Sequence, residues 1–141
     1  MANIKYNLRG VSVEQFATLF EPTSDRVNLN VEIPIKTNYA DRAFAVGANI
    51  QFLEDDKPFL VAEAMCHYQI EEKCWLELSN DGTTDVVIPA QLMDTLTRIA
   101  IGTVRGAICV KTENTPFAKY FMPIIEIGAP GKGFDFILTR D

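Results

Sequence analysis

Two runs of alternating apolar and polar residues constrain the fold of this chain more than any other feature of its sequence. The first covers residues 27–35, and the second covers residues 43–53 and resumes beyond a short polar interruption. Because successive side chains of a β-strand point to opposite faces, such runs are typical of strands with one buried face. The apolar positions are Val27, Leu29, Val31, Ile33 and Ile35 in the first run, and Phe44, Val46, Ala48, Ile50 and Phe52 in the second.

The polar interruption, residues 54–58, contains acidic residues, a lysine and a proline. This composition favours a turn, so the strand predicted over 43–53 should return as an antiparallel partner over 59–70. Pro34 has no backbone N–H, and it therefore predicts that its end of the first strand lies at a sheet edge. The period-two pattern extends to about residue 79.

The first twenty residues are ambiguous between a strand and a short helix. Their apolar positions fit a strand with a bulge about as well as they fit a helical turn. We favour the strand, because four strands make a better sheet than three. The apolar residues concerned are Val11, Val13, Phe16, Leu19 and Phe20.

After a polar linker at residues 79–85, the hydrophobic period changes to that of an α-helix. Pro89 suits the first helical position, and the helix should end near Asn114 and Thr115-Pro116. Two apolar stripes lie side by side: Leu92, Leu96, Ile99, Thr103 and Gly106 in one, and Met93, Ala100, Val104 and Ala107 in the other. So wide a band predicts that one side packs on the sheet and the other on a helix of a second copy.

Two glycines, Gly102 and Gly106, lie four positions apart inside this helix. Each weakens the helix by roughly 1 kcal/mol relative to alanine, so close approach of another backbone is the expected gain. The predicted interface between copies is Ile99, Gly102, Thr103 and Gly106. The alternative is that the glycines accommodate the sheet beneath the helix.

Composition limits the class of protein. The chain has 141 residues, 48% of them hydrophobic, and we expect a single domain over residues 1–141. A net charge of −6 argues against nucleic-acid binding. Neither a secretory signal nor an apolar run long enough to span a membrane is evident, which predicts a cytoplasmic protein. The odd set Cys66, Cys74 and Cys109 is interpreted as three small core residues.

Residues that could perform catalysis or bind a metal are scarce. His67 is the one histidine, and it follows Cys66 on a predicted strand, so their side chains point to opposite faces. The adjacent acids Glu71-Glu72 and Asp55-Asp56 are interpreted as solvated charge. Residues 131–133 lack the spacing and the following Ser or Thr of a phosphate-binding loop. We therefore expect neither an enzyme nor a cofactor, and no metal site.

The order of these features resembles the bacterial export chaperone SecB and its SecB-like relatives. The likeness covers roughly residues 4–127, with four strands, a long hairpin, a linker and a helix that carries Arg105-Gly106. It continues through Lys111-Thr112-Glu113-Asn114-Thr115-Pro116 and Met122-Pro123-Ile124-Ile125. The implied fold is α+β, with a four-stranded antiparallel sheet and one main long helix.

The resemblance also implies a function. SecB-like proteins are cytoplasmic homotetramers, each a dimer of dimers, that hold unfolded polypeptide clients in apolar grooves; the export chaperone hands its clients to the SecA motor. The candidate peptide-binding residues here are Trp75, Phe117, Tyr120, Phe121, Phe44 and Phe52. Phe117, Tyr120 and Phe121 lie in a segment, residues 115–125, that we predict to be extended.

The C-terminal tail departs from the SecB pattern. The glycines of residues 128–133 oppose a second long helix, and residues 134–138 favour a short strand. Handover to SecA is therefore one alternative and a SecB-like chaperone for a specific partner, such as an antitoxin, is another. Two further alternatives are a closed pocket for an apolar small ligand and an apolar surface that binds one folded partner.

Overall fold

The computed structural model describes residues 4–78 and 86–123 together with a short strand at 136–138. The strands are β1 (Tyr6–Thr18), β2 (Val27–Glu32), β3 (Ile35–Asn38), β4 (Ala43–Glu54), β5 (Lys57–Ile70), β6 (Val86–Ile88) and β7 (Phe136–Leu138), and the helices are α1 (Glu72–Leu78) and α2 (Ala90–Thr112). Within the described residues, one antiparallel sheet has the order β1-β5-β4-β2, and β3 also pairs with β4. The predicted α+β class with an antiparallel sheet is confirmed.

The predicted hairpin is present as β4 and β5. Its turn contains Asp55 and Asp56, both with positive φ angles of 50° and 66°. Paired left-handed residues match the twist of a two-residue hairpin, and aspartate tolerates that conformation better than most residues do. Alternate β4 side chains form the predicted apolar face, and all five are buried: Phe44, Val46, Ala48, Ile50 and Phe52.

Both edges of the sheet agree with the sequence interpretation. β1 is a strand with two register shifts, one between Leu8 and Gly10 and one between Val13 and Gln15, as the bulged-strand alternative predicts. At the other edge, the chain passes from β2 to β3 through Pro34, whose carbonyl accepts a 2.9 Å hydrogen bond from the Gly47 N–H. The proline therefore lies where no ladder donor is required.

Helix α2 lies across β4 and β5. Pro89 is its N-cap residue, one position before the predicted start. The buried line of the helix includes Met93, Leu96, Ala100, Val104 and Ile108. Of the predicted stripe through Ile99 and Gly106, Leu96 is also buried, whereas Ile99 and Gly106 lie on the exposed side, where the sequence analysis expects a second copy.

Two segments differ from the extended structure predicted for them. Residues 72–78 form α1, closed by a 2.9 Å hydrogen bond from the Trp75 N–H to the Glu71 carbonyl. Residues 115–120 form successive turns, in which the Thr115 hydroxyl donates to the Thr112 carbonyl at 2.7 Å and accepts from the Phe117 N–H at 3.1 Å. Such local side-chain bonds compete with extended structure and favour turns.

The predicted short C-terminal strand is present as β7, which pairs with β6. The predicted linker at 79–85 and the glycine-rich loop at 128–133 lie outside the described residues. Cys66 and Cys74 are buried as expected, whereas Cys109 is exposed, because it lies on the side of α2 that faces away from the sheet. Neither described helix is long and apolar enough to cross a membrane.

Candidate functional site: an aromatic surface beside the long helix

A cluster of aromatic rings is centred on Phe59, which is completely buried near the start of β5. Tyr120 packs edge-on against it at 4.9 Å between ring centroids, and Phe117 stacks at 6.5 Å. Phe20, just beyond β1, lies 6.0 Å away, and Phe52 lies 6.1 Å away. Offset and edge-to-face contacts of this kind stabilise aromatic clusters beyond the area that they bury.

The outer side of this cluster is open to solvent. Phe121 is 65% exposed, Phe20 is 37% exposed, and Phe117 and Tyr120 are half-buried. We call these four residues the aromatic surface. Large apolar side chains grouped at the surface indicate a binding site more often than isolated ones do. Phe117 and Tyr120 are therefore brought together on Phe59, and Phe121 follows Tyr120 with its side chain exposed; a role of these residues in peptide binding stays a prediction.

The segment that carries Phe117, Tyr120 and Phe121 is fixed at both ends. Its start follows Asn114, whose φ of 62° ends the helix. At its far end, the Arg105 guanidinium donates to the carbonyls of Met122 at 3.2 Å and of Pro123 at 3.0 Å. Met122 is itself buried in the core. One planar guanidinium thus serves two successive carbonyls, which a lysine ammonium matches poorly.

The loop between β1 and β2 forms the opposite border of the surface. The Glu54 carboxylate accepts hydrogen bonds from the Thr23 N–H at 2.9 Å, the Ser24 N–H at 2.7 Å and the Ser24 hydroxyl at 2.8 Å. The Ser24 hydroxyl contributes most to holding the pKa of Glu54 below its ordinary value. Between this loop and Tyr120 lies a cleft of about 330 Å³ that Lys119 and Asp25 also line.

Three of the predicted peptide-binding residues are not at this surface. Trp75 is 6% exposed and packs edge-on against Tyr39 at 4.9 Å, because α1 turns it into the core. Phe44 and Phe52 lie on the buried face of β4 beneath α2. A client cannot reach these rings without rearrangement of the core. Phe20 is the residue that sequence analysis missed, since its aromatic partners come from distant parts of the chain.

The predicted interface residues lie together on the exposed side of α2. Ile99 is 41% exposed, Gly102 and Gly106 are exposed, and Thr103 is half-buried. A Cβ atom added to either glycine would meet nothing within 4 Å. The glycines therefore do not accommodate the sheet, and that alternative is wrong. Cys109 and Val110 extend the same exposed face toward the end of the helix.

His67 is hydrogen-bonded to Ser12. Its Nε2 lies 2.8 Å from the Ser12 hydroxyl oxygen, and the tautomer of the imidazole decides which of the two groups donates. The Ser12 hydroxyl also contributes most to lowering the pKa of the Glu14 carboxyl group, followed by Lys36. Within the described residues, no group of three or more His, Cys, Asp or Glu residues could hold a metal ion.

The clefts formed by described residues do not match the alternative of a closed apolar pocket. Three of them have volumes of about 380, 500 and 330 Å³, and each opens to solvent and carries charged side chains. An apolar small ligand is usually enclosed far more completely. The exposed apolar side chains of this protein lie outside those clefts.

Comparison with known proteins gives similarity in structure only. No family model matches the sequence, and no curated protein is significantly similar to it. A SecB-like chaperone of Mycobacterium tuberculosis, solved in complex with a ChAD peptide from an antitoxin, superposes with a TM-score of 0.51 at 12% identity, over 85% of this chain and 90% of the other. A Streptococcus agalactiae protein of unknown function superposes with a TM-score of 0.41 at 14% identity, over 89% of this chain and 100% of the other.

The first of these similarities extends over most of both chains and includes the antiparallel sheet. At 12% sequence identity, this comparison gives no information about individual site residues. The agreement of the two backbones does give information about the fold. The chain therefore has a SecB-like fold.

Proposed function

We propose that this protein is a SecB-like holding chaperone, which binds polypeptide segments in an extended conformation at its aromatic surface. The observation that carries the proposal is the exposure of Phe121 beside rings that are anchored on Phe59. The M. tuberculosis SecB-like chaperone was solved with a bound peptide, and this supports peptide as the ligand class. Apolar capture of this kind needs no cofactor and no catalytic group.

The aromatic surface suits apolar client side chains. Phe117 and Tyr120 form a firm base, because both pack on a buried ring, and Phe121, the next residue after Tyr120, has most of its side chain exposed to water. A client that covers such a ring gains about 1–2 kcal/mol from the buried apolar area. Lys119, whose ammonium lies 5.4 Å from the Tyr120 ring, adds a positive charge at the border.

A free sheet edge offers a second mode of contact for an extended client. Among the described strands, β1 pairs only with β5, so its outer edge has unpaired backbone groups. Leu8, Val11 and Val13 on this strand are all about half exposed. An extended peptide could add its backbone to such an edge while its side chains meet these apolar residues.

We further propose that copies of the chain assemble through the exposed side of α2. Gly102 and Gly106 leave room for a second backbone, and Ile99 and Val110 supply apolar area on the same side. A symmetric dimer would bring identical faces together. Two such contacts, one through α2 and one through a sheet edge, would generate a dimer of dimers.

The direct test of client binding is Phe121→Ser. Phe121 makes little contribution to the core, so we expect an unchanged fold and a roughly tenfold loss of affinity for an unfolded polypeptide, equivalent to about 1.4 kcal/mol. Leu76→Ser is the matched control, because Leu76 is 55% exposed on α1, away from the aromatic cluster. Fluorescence anisotropy of a labelled, permanently unfolded client would measure both variants.

Three outcomes decide the proposal. Weaker binding by Phe121→Ser alone supports it. Equal binding by both variants and the parent would show that clients bind elsewhere. Equal weakening by both would indicate non-specific apolar capture. The same assay with purified SecA added tests the finer alternative, because an export chaperone would transfer its client and a chaperone for one partner would retain it.

Assembly is tested by Gly106→Leu, which should separate two close helices and lower the mass seen by light scattering. The control Glu77→Leu places the same side chain at an exposed position of α1.

The native thiol of Cys109, three residues after Gly106, offers a second measurement of assembly. A short bifunctional maleimide should link two copies of the parent through Cys109 and none of Cys109→Ser. An unchanged mass for Gly106→Leu would remove this interface.

A further inference from the structure

The sheet face opposite α2 is concave. Lys36 on β3 lies 3.3 Å from the Glu14 carboxylate on β1, although these strands are at opposite edges with β4 and β5 between them. Three strand spacings amount to about 14 Å in a flat sheet, which is more than two extended side chains bridge comfortably. The sheet must therefore curl, and the two bulges in β1 give it the means to do so. We call this concave face the polar trough.

A cleft of about 380 Å³ occupies the end of the polar trough near the β3–β4 turn. Lys36, Ala45 and His67 lie in one row across the sheet, because Lys36 pairs with Ala45 and Ala45 pairs with His67. Small side chains, Ala43 and Ala45, form the floor between longer ones. The cleft has the volume of a small-ligand site, typically about 300–1,000 Å³, with an aliphatic floor and polar walls.

Arg9 is the positive charge of this cleft that has no acidic partner among the described residues, although the whole chain has a net charge of −6. Lys36 also lines the cleft but is paired with the Glu14 carboxylate at 3.3 Å, and Asp41 is the acid in the lining. One oxygen of Asp41 already accepts a 2.8 Å hydrogen bond from the Asn38 amide. Arg9 has no hydrogen-bond or ion-pair partner within the described residues, whereas Arg26, Arg42, Arg98 and Arg105 each have one.

We propose that this cleft binds a small organic carboxylate. The free guanidinium of Arg9 provides the paired donors that a carboxylate prefers, and the Lys36 ammonium, which Glu14 partly neutralises, lines the same cleft. The alanine floor receives the carbon skeleton of the ligand. Two sources have this chemistry, a free carboxylic acid and the C-terminal carboxylate of a peptide. The site lies on the opposite face of the sheet from α2, so it does not depend on the proposed client-binding surface.

The single histidine of the chain is a built-in reporter for this cleft. Its imidazole ring gives one resolved set of proton NMR signals, which can be followed during titration of the intact protein with butyrate, with trialanine and with trialanine amide. Sodium chloride at equal pH and ionic strength is the blank. We expect a saturable shift of the His67 signals with at least one of the two carboxylates and none with the amide.

Arg9→Gln should lower the affinity for the saturating ligand at least tenfold. The control Arg26→Gln should leave that affinity unchanged, since Arg26 is exposed and paired with Asp55.

Saturation by butyrate would identify a free acid, and saturation by trialanine alone would identify a peptide terminus. No saturable shift at tens of millimolar, or equal affinity after Arg9→Gln, would overturn the proposal. An equal response to inorganic phosphate would also overturn it, because the site would then be a general anion site. Phe121→Ser should leave this titration unchanged, which separates the two proposals.

Discussion

The buried face of β4 and the segment after α2 are both rich in aromatic and aliphatic residues, yet the two regions are held in different ways. The β4 side chains are fixed by hydrogen-bonded ladders on both sides and are covered by α2. The 113–123 segment has no ladder and is held by turns, by Arg105 and by the anchor of Met122. Similar composition therefore yields a rigid core in one place and an accessible surface in the other, because the backbone hydrogen bonds differ.

The largest expected effect is on Phe59, where the two regions meet. Phe59→Ala should cost about 3–5 kcal/mol of unfolding free energy, since the ring is completely buried and supports Phe117 and Tyr120. Chemical denaturation would measure it. Phe121→Ser should change stability by less than about 0.5 kcal/mol. A similar loss in both variants would erase the distinction between core and surface.

Substitutions at two glycines, one in β4 and one in α2, test the same comparison and should change stability by intermediate amounts. A Cβ on Gly47 of β4 would lie 2.5 Å from the Ala64 carbonyl oxygen and even closer to the Met65 sulfur, so Gly47→Ala should destabilise the protein by about 1–3 kcal/mol. Gly106→Ala has open space and gains up to about 1 kcal/mol of helix propensity. Thermal melts of the two variants should therefore shift in opposite directions under conditions where the chain is monomeric. In the assembled protein, the proposed contact between α2 helices predicts a lower melting temperature for Gly106→Ala, because the added Cβ would push the second backbone away.

A smaller effect is expected when the anchor of the aromatic segment is removed. Arg105→Met retains the alkyl packing but loses both hydrogen bonds to the carbonyls of Met122 and Pro123, which should cost about 1–2 kcal/mol of local stability. Hydrogen exchange should become faster in residues 115–123 and remain unchanged in β4. Arg105→Lys should recover part of the protection. Unchanged exchange in Arg105→Met would show that Met122 alone holds the segment.

The smallest effect concerns pH. The folded-state pKa of Glu54 is lowered, first by the Ser24 hydroxyl, so its contribution to stability is complete above the unfolded-state pKa and is lost as the pH falls through the folded-state value. The loop at Thr23 and Ser24 should therefore loosen in acid before the sheet unfolds. Amide NMR signals of these residues would report it. Glu54→Gln should remove the pH dependence, and persistence of the dependence would assign it to another carboxyl group.

Alternation along the chain was enough to predict β4, β5 and their hairpin, because a two-residue period has one structural solution when one face is apolar. The same reasoning grouped Leu96 with Ile99 and Gly106, although Leu96 is buried in the core, because the two apolar stripes of α2 are adjacent and the pattern does not fix the boundary between them. It also missed α1, a helix too short to establish a period. Trp75 was misplaced for that reason, and Phe20 was missed because its ring contacts join residues far apart in sequence.

The two bulges of β1 have a consequence for any chain that pairs with its free edge. Only Gly10 to Val13 lie in regular register between the first bulge and the second, a stretch of four residues. A partner strand would thus lose its hydrogen-bond spacing after two exchanged pairs, so a peptide that paired there would be held weakly and released readily. The same two bulges oppose the addition of one copy after another at this edge. The edge can therefore pair briefly with a peptide but is a poor template for a fibre.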